Sequence, residues 1–322
     1  MVLFQRLFSI LLLLTITVAC LPQQVHQSVN TSISPRLEQK HYLAEDGAKL
    51  PIRSWLPQHT PPRAVIIALH GFNDYSNAFA APGTYLSSHG IACYAYDQRG
   101  FGEAPGRGLW AGTEAYISDL SGFVREIRSR HPGLPLYLLG ESMGGAIVIV
   151  ATTGSTPPPV DGLILVAPAV WARSTMPWYQ RWLLALASRT VPWLEVTGKG
   201  LDITPSDNIE MRRALGRDPL VIKATRVDTL RGLTDLMDAA LAAAPKLQHS
   251  TLIQYGRHDQ IIPQKPTLLM LATVPPHVRT AFYADGYHML LRDLQGEKPL
   301  ADIVAWVADR NGPLPNGAAR WE

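Results

Sequence analysis

The string Gly140-Glu141-Ser142-Met143-Gly144 sets one hydroxyl between glycines, directly after the apolar run Leu134-Pro135-Leu136-Tyr137-Leu138-Leu139. This pattern predicts a buried strand ending in a sharp turn that throws the serine clear of the sheet, at the N-terminus of the next helix. The residues that follow, Gly145-Ala146-Ile147-Val148-Ile149-Val150-Ala151, can form that helix as a buried one. Alone, the string also fits an ordinary glycine-rich turn, so the rest of the chain must decide. A serine hydroxyl is a poor nucleophile until a base takes its proton, and the base must be held in the right tautomer by an acid.

Both partners are present in the order Ser, Asp, His that a strand-turn-helix serine requires. The run Thr251-Leu252-Ile253-Gln254-Tyr255 breaks at Gly256-Arg257-His258-Asp259, and Thr280-Ala281-Phe282-Tyr283-Ala284 breaks at Asp285-Gly286-Tyr287-His288. Loops just past strand ends are where open α/β sheets carry catalytic groups. Asp259 is therefore assigned as the acid and His288 as the base. His258 precedes the acid and reads as a loop residue. Asp285, three residues before His288, is a rival acid that would need an unusually tight turn, and it could instead cap the helix that follows. Asp293 reads as a solvated helix residue.

Acyl transfer also builds negative charge on the carbonyl oxygen, which two preorganised N–H groups must meet. Met143, the residue after the nucleophile, supplies one. The strand Ala64-Val65-Ile66-Ile67-Ala68-Leu69 runs into His70-Gly71-Phe72-Asn73, where Gly71 permits close backbone approach and Phe72 N–H is the second donor. His70 reads as a brace for this loop.

The elements that must position these groups alternate. A β-hairpin is predicted over 38–57, turning at Glu45-Asp46-Gly47, with strands near 64–69, 92–97, 135–140, 162–168, 250–255 and 279–284. Helices fall near 75–88, 114–130, 143–155, 264–273 and 297–310. That alternation predicts an α/β fold: a mostly parallel central sheet flanked by helices. From about Trp171 to Leu247 the alternation stops and helical patterns take over, far longer than an ordinary crossover. We read a helical cap inserted between two parts of one core, 38–170 and 248–311, with 312–322 as a loose tail. Trp171, Trp178, Trp182, Leu183 and Leu184 could line an apolar acyl pocket or simply pack the cap onto the core.

The 322 residues are 47% apolar with a net charge of +3 and no Lys/Arg block, which gives no reason to expect nucleic acid as a partner. Zinc signatures are absent. Gly100 and Gly102 begin like a dinucleotide fingerprint that fails at Pro105, so no metal or cofactor is expected.

Residues 1–19 carry one positive charge, Arg6, ahead of a largely apolar stretch from Leu7 to Ala19, and read as a secretory signal peptide. The stretch ends Thr17-Val18-Ala19-Cys20, which resembles the lipobox of bacterial lipoproteins with Thr17 where leucine is commoner. That resemblance implies cleavage before Cys20 and its acylation, and so an exported protein held on a membrane of a bacterial cell envelope. A plain signal peptide with an incidental Cys20 is the alternative. Residues 20–37 then form the lipidated cysteine and a polar, flexible tether. The other cysteine, Cys93, lies in an apolar strand, which argues against a disulfide.

Over about residues 40–310 the chain resembles the monoacylglycerol lipase/lysophospholipase branch of the α/β-hydrolase superfamily. The matching pieces are His70-Gly71-Phe72-Asn73, Tyr96-Asp97-Gln98-Arg99-Gly100-Phe101-Gly102, Gly140 to Gly145, the Asp259 loop and Gly286-Tyr287-His288-Met289-Leu290. The resemblance implies a Ser142–Asp259–His288 triad, a cap that admits an acyl chain, and hydrolysis of lipid esters such as monoacylglycerols or lysophospholipids. It implies a structural role for Asp97 and Arg99. Met143 departs from the tryptophan typical of proline iminopeptidase-like relatives, and a serine nucleophile excludes the haloalkane dehalogenases. An acyltransferase would share all these residues, and a non-catalytic envelope lipoprotein would share the fold. Oligomeric state is not legible.

Overall fold

A computed structural model describes residues 33–318 of the chain. The expected signal peptide and the expected lipidation site, Cys20, lie outside the described residues.

In chain order the strands and helices are β1 (Arg36–Leu37), β2 (His41–Leu43), β3 (Lys49–Trp55), β4 (Ala64–Leu69), α1 (Ala80–Ser88), β5 (Ile91–Tyr96), α2 (Thr113–Arg130), β6 (Leu136–Glu141), α3 (Met143–Thr153) and β7 (Gly162–Val166). There follow α4 (Trp178–Thr190), β8 (Glu195–Val196), α5 (Ile209–Arg217), β9 (Thr225–Arg226), α6 (Val227–Ala243), β10 (Thr251–Gly256), α7 (Gln264–Leu271), β11 (Arg279–Tyr283) and α8 (Glu297–Ala308). Nine strands form one sheet in the order β1-β2-β3-β5-β4-β6-β7-β10-β11. The pairs from β5 through β11 are parallel, and β1, β2 and β3 add an antiparallel edge.

Strands β4, β5, β6 and β7 are buried on both faces, which is why they read as largely apolar runs. Along β4, Val65, Ile67 and Leu69 face one apolar cluster, shared with Phe123 of α2, Ile147 of α3 and Leu236 of α6. Ile66 and Ala68 face the other, with Leu86 of α1 and Trp306 of α8. The period of two thus divides each strand between two helical layers.

Three boundaries differ from the sequence expectation. The tether gives way to structure before residue 38: Arg36 pairs with Leu43 and Leu37 with Tyr42, extending the sheet edge by one short strand. The helical insertion is shorter than 171–247, because α6 buries Leu236, Met237 and Ala240 in the main core against α3. It also holds the small antiparallel pair β8–β9, where the sequence pattern predicts helices. The described part of the tail is not loose. Asn316 and Gly317 N–H groups donate to Asp302 at 2.9 and 2.7 Å, and Ala318 exchanges two backbone hydrogen bonds with Phe282.

Candidate active site

Ser142 stands at the end of β6 as the residue before α3, with φ 53 and ψ −116. A side-chain-bearing residue in that region is strained, and the strain persists only where its surroundings over-determine it. Here the neighbouring strand does so. Ser142 N–H donates to Val166 O at 2.9 Å, and Ala169 N–H donates to Ser142 O at 2.9 Å. The flanking glycines are steric requirements. A Cβ on Gly144 would lie 2.2 Å from Leu69 O, and one on Gly140 would lie 2.5 Å from Gly144 O.

Asp259 follows β10 and His288 follows β11, and the parallel β10–β11 pairing brings their loops side by side. Arg257 N–H donates to Tyr283 O and His258 N–H to Gly286 O, stitching one loop to the other. His288 Nδ1 lies 2.8 Å from Asp259 Oδ2, and both residues are buried. Asp259 is itself aimed: its Oδ1 accepts from Ile261 and Ile262 N–H at 2.8 and 2.9 Å. Burial presses the His288 imidazole towards neutrality, but the Asp259 charge and hydrogen bond, with Glu141 behind them, hold its pKa above the ordinary histidine value. With Nδ1–H given to Asp259, Nε2 is left free to accept a proton. Of the rival residues, Asp285 is exposed, and His258 is exposed and stacks on Tyr287.

The loop after β4 lies against Ser142: a Cβ on Gly71 would lie 3.3 Å from Ser142 Cβ. Phe72 is half-buried against Phe101. His70 braces this loop as expected. Its Nδ1 donates to Gly71 O at 2.8 Å and its Nε2 accepts from Gln98 N–H at 3.0 Å, while burial pulls its pKa down. Asn73, at φ 65, donates from Nδ2 to Thr225 Oγ1 at 2.7 Å. Met143 is the first residue of α3, a position whose N–H has no acceptor within the helix. Asp97 and Arg99 hold the scaffold. Asp97 accepts from Ser76 and Glu103 N–H at 3.0 Å each, and Arg99 forks between Asp46 and Asp119.

Sequence reasoning missed a set of buried charges beside these groups. Asp293 is not a solvated helix residue. It is buried, accepts from Ser206 Oγ at 2.6 Å and Tyr287 N–H at 2.7 Å, and is pushed by burial up to about 6. Asp74, Glu141 and Arg292 form a second buried group. The available signal was a glutamate inside the otherwise apolar end of β6.

The expected acyl-pocket residues of α4 lie elsewhere. Trp178, Trp182 and Leu183 are 67%, 71% and 69% exposed, so they neither line a closed pocket nor pack the insertion down. Trp171 and Leu184 are half-buried. Among the described residues no group of three or more His, Cys, Asp or Glu side chains converges as a metal site would.

A mostly parallel sheet flanked by helices, with a serine at a strand-to-helix turn and an Asp–His pair on later strand-end loops, defines an α/β-hydrolase. The Hydrolase_4 family model, described as serine aminopeptidase S33, matches residues 60–295, and the chain belongs to that family. It is 27% identical over 300 residues to human monoglyceride lipase, covering 90% of this chain and 95% of that protein. It is 26% identical to the monoacylglycerol lipase of Mycolicibacterium smegmatis, covering 85% and 98%. Among solved structures, a soluble variant of Saccharomyces cerevisiae monoglyceride lipase in complex with a substrate analogue superposes with a TM-score of 0.71 at 22% identity, covering 91% and 99%. The monoacylglycerol lipase of Paleococcus ferrophilus gives 0.67 at 22% identity, covering 81% and 99%. The chain is a carboxylic ester hydrolase, monoacylglycerol lipase-like in sequence and fold.

Proposed function

We propose that this chain hydrolyses esters of single-chain lipids, monoacylglycerols or lysophospholipids, through an acyl-enzyme on Ser142. The observation that carries the reading is the 2.8 Å Asp259–His288 hydrogen bond, made in a sheet that also presents Ser142 at its strained turn. His288 Nε2 takes the Ser142 proton as Oγ attacks the ester carbonyl, and Asp259 stabilises the imidazolium that forms. The Phe72 and Met143 N–H groups meet the oxyanion. The proton passes to the leaving alcohol, a water attacks the acyl-enzyme by the same route, and the free acid departs.

Two features favour a lipid substrate. The relatives named as monoglyceride lipases match nearly the whole chain. The insertion also turns Trp178, Trp182, Leu186 and Trp193 to solvent, an arrangement suited to a bilayer interface where tryptophan is enriched. Acylation of Cys20 would hold the enzyme on that surface. Substitution Cys20→Ala should abolish incorporation of labelled fatty acid and release the protein from the membrane fraction, and unchanged labelling would refute the anchor.

The test of the activity is Ser142→Ala. The variant should fold normally and lose nearly all hydrolysis of monoacylglycerol. Hydrolysis at the wild-type rate would refute the reading. Product analysis with an acceptor alcohol present distinguishes hydrolysis from acyl transfer.

A further inference from the structure

Arg292 lies four residues after His288, at the end of the single turn Leu290–Arg292, and its side chain is only 9% exposed. Nη1 donates to Asp74 Oδ2 at 2.8 Å, and Nη2 donates to Glu141 Oε2 at 3.4 Å. These partners are 218 and 151 residues away in the chain. Asp74 closes the turn begun at Gly71, through its own N–H to Gly71 O, and its Oδ1 accepts from Tyr75 N–H. Glu141 immediately precedes Ser142. One guanidinium therefore touches the loop of the proposed oxyanion donors, the nucleophile turn and the loop of the proposed base.

Burying three charges is costly, and apolar side chains of similar volume would pack these loops at least as stably. The arrangement is not even fully satisfied, since Glu141 Oε1 and Arg292 Nε find no hydrogen-bond partner among the described residues. What ions provide and apolar groups do not is direction and field. Burial pushes the Glu141 carboxyl up and Arg292 opposes that shift, so the ionised group sets a negative charge beside His288, where the proposed mechanism develops an imidazolium. The charged groups acting on His288 are Asp259 and Glu141, which favour its protonated form, and Arg292, which opposes it. Burial works against the Arg292 charge, but Asp74 and Glu141 more than offset it and hold the side chain protonated.

We infer that Arg292 is a positioning residue for the ester hydrolysis proposed above: its bridge from Asp74 to Glu141 fixes the oxyanion loop, the Ser142 turn and the His288 loop in one catalytic geometry. The inference rests on that hydrolytic reading. Neighbouring contacts support the same fastening. Arg292 O accepts from Asn208 Nδ2 at 3.0 Å, and Met289 N–H donates to Pro205 O at 2.9 Å.

The experiment compares wild type with Arg292→Met, Arg292→Lys, Glu141→Gln and the triple variant Asp74→Asn/Glu141→Gln/Arg292→Met. Each is assayed for kcat and KM on a soluble ester across pH and for its rate of reaction with a fluorophosphonate. Displacement of catalytic groups by about 1 Å costs up to roughly 10²-fold, so Arg292→Met should lower kcat by about that factor with KM little changed. Arg292→Lys should recover part of the loss. The acid limb of kcat/KM should move to lower pH in Glu141→Gln, which removes a negative charge beside His288, and to higher pH in Arg292→Met. The triple variant buries no unpaired charge, so it serves where Arg292→Met does not fold, and it too should be slow. Wild-type kcat and an unshifted limb in a folded Arg292→Met or triple variant would overturn the inference. A wild-type protein inert to both ester and fluorophosphonate would instead overturn the hydrolytic reading, and the positioning role with it.

Discussion

Around Ser142 the chain is buried without a break, from Leu136 to Ile149, whereas α4 buries none of its thirteen residues. The first region is held by strand pairing on both sides of β6 and by charges that pair the end of β6 with two loops. The second is joined to the rest mainly through its flanks, where Arg173 pairs with Asp235 and Asp238 and α4 rests on α6. Under the proposed function, the difference separates two tasks. Bond-making requires groups held to fractions of an ångström, so they sit where the sheet over-determines them. Admission of a lipid requires an accessible apolar surface, which a fully packed insertion would not offer.

The contrast can be broken most severely at the buried end. Asp259→Asn keeps the volume but offers His288 Nδ1 the wrong partner. It should lower kcat by about 10⁴-fold, measured by steady-state hydrolysis of a soluble ester. A loss of tenfold or less would mean that Asp259 does not hold the base.

A smaller effect sharpens the electrostatic half of the comparison. A base must be neutral to accept a proton, and His288 titrates above the ordinary histidine value of about 6.5. The acid limb of kcat/KM should therefore have its midpoint above that value, with activity rising as pH rises through it. Stability runs the opposite way. A raised histidine pKa adds stability that is fully present below the unfolded value and is lost as pH rises through the folded one. A limb centred below 6.5 would contradict the arrangement drawn around His288.

The exposed end should yield the smallest change in stability. Trp178→Ser with Trp182→Ser should alter unfolding free energy by less than about 0.5 kcal/mol, read by urea denaturation, because neither ring is buried. The same variant should lose more activity on vesicle-borne substrate than on a soluble ester. Equal losses on both would detach the α4 surface from any role at a bilayer.

The sequence is readable where local pattern and tertiary need coincide. Gly140, Ser142 and Gly144 announce their turn because only that backbone needs glycine on both sides of a serine. Asp259 and His288 are found by their place after apolar runs. Asp293 is hidden from sequence reasoning because its partners, Ser206 and the N–H of Tyr287, arrive through tertiary folding, and a lone aspartate between Arg292 and Leu294 carries no mark of burial. Arg292 is hidden for the same reason: its two carboxylates come from a distant loop and the end of a distant strand. On α4 the sequence misleads the other way, since apolar residues at helical spacing suggest a core face, yet none of them is buried. α6 has the same periodicity and does meet α3, so periodicity alone could not mark where the insertion ends.

The central claim is that Ser142 is the nucleophile, activated by His288. It is tested most directly by treating the purified protein with a fluorophosphonate and locating the adduct by peptide mass spectrometry. The account predicts one adduct, on the peptide containing Ser142, formed far more slowly in His288→Ala. An adduct on another residue, or one on Ser142 formed equally fast without His288, would contradict it.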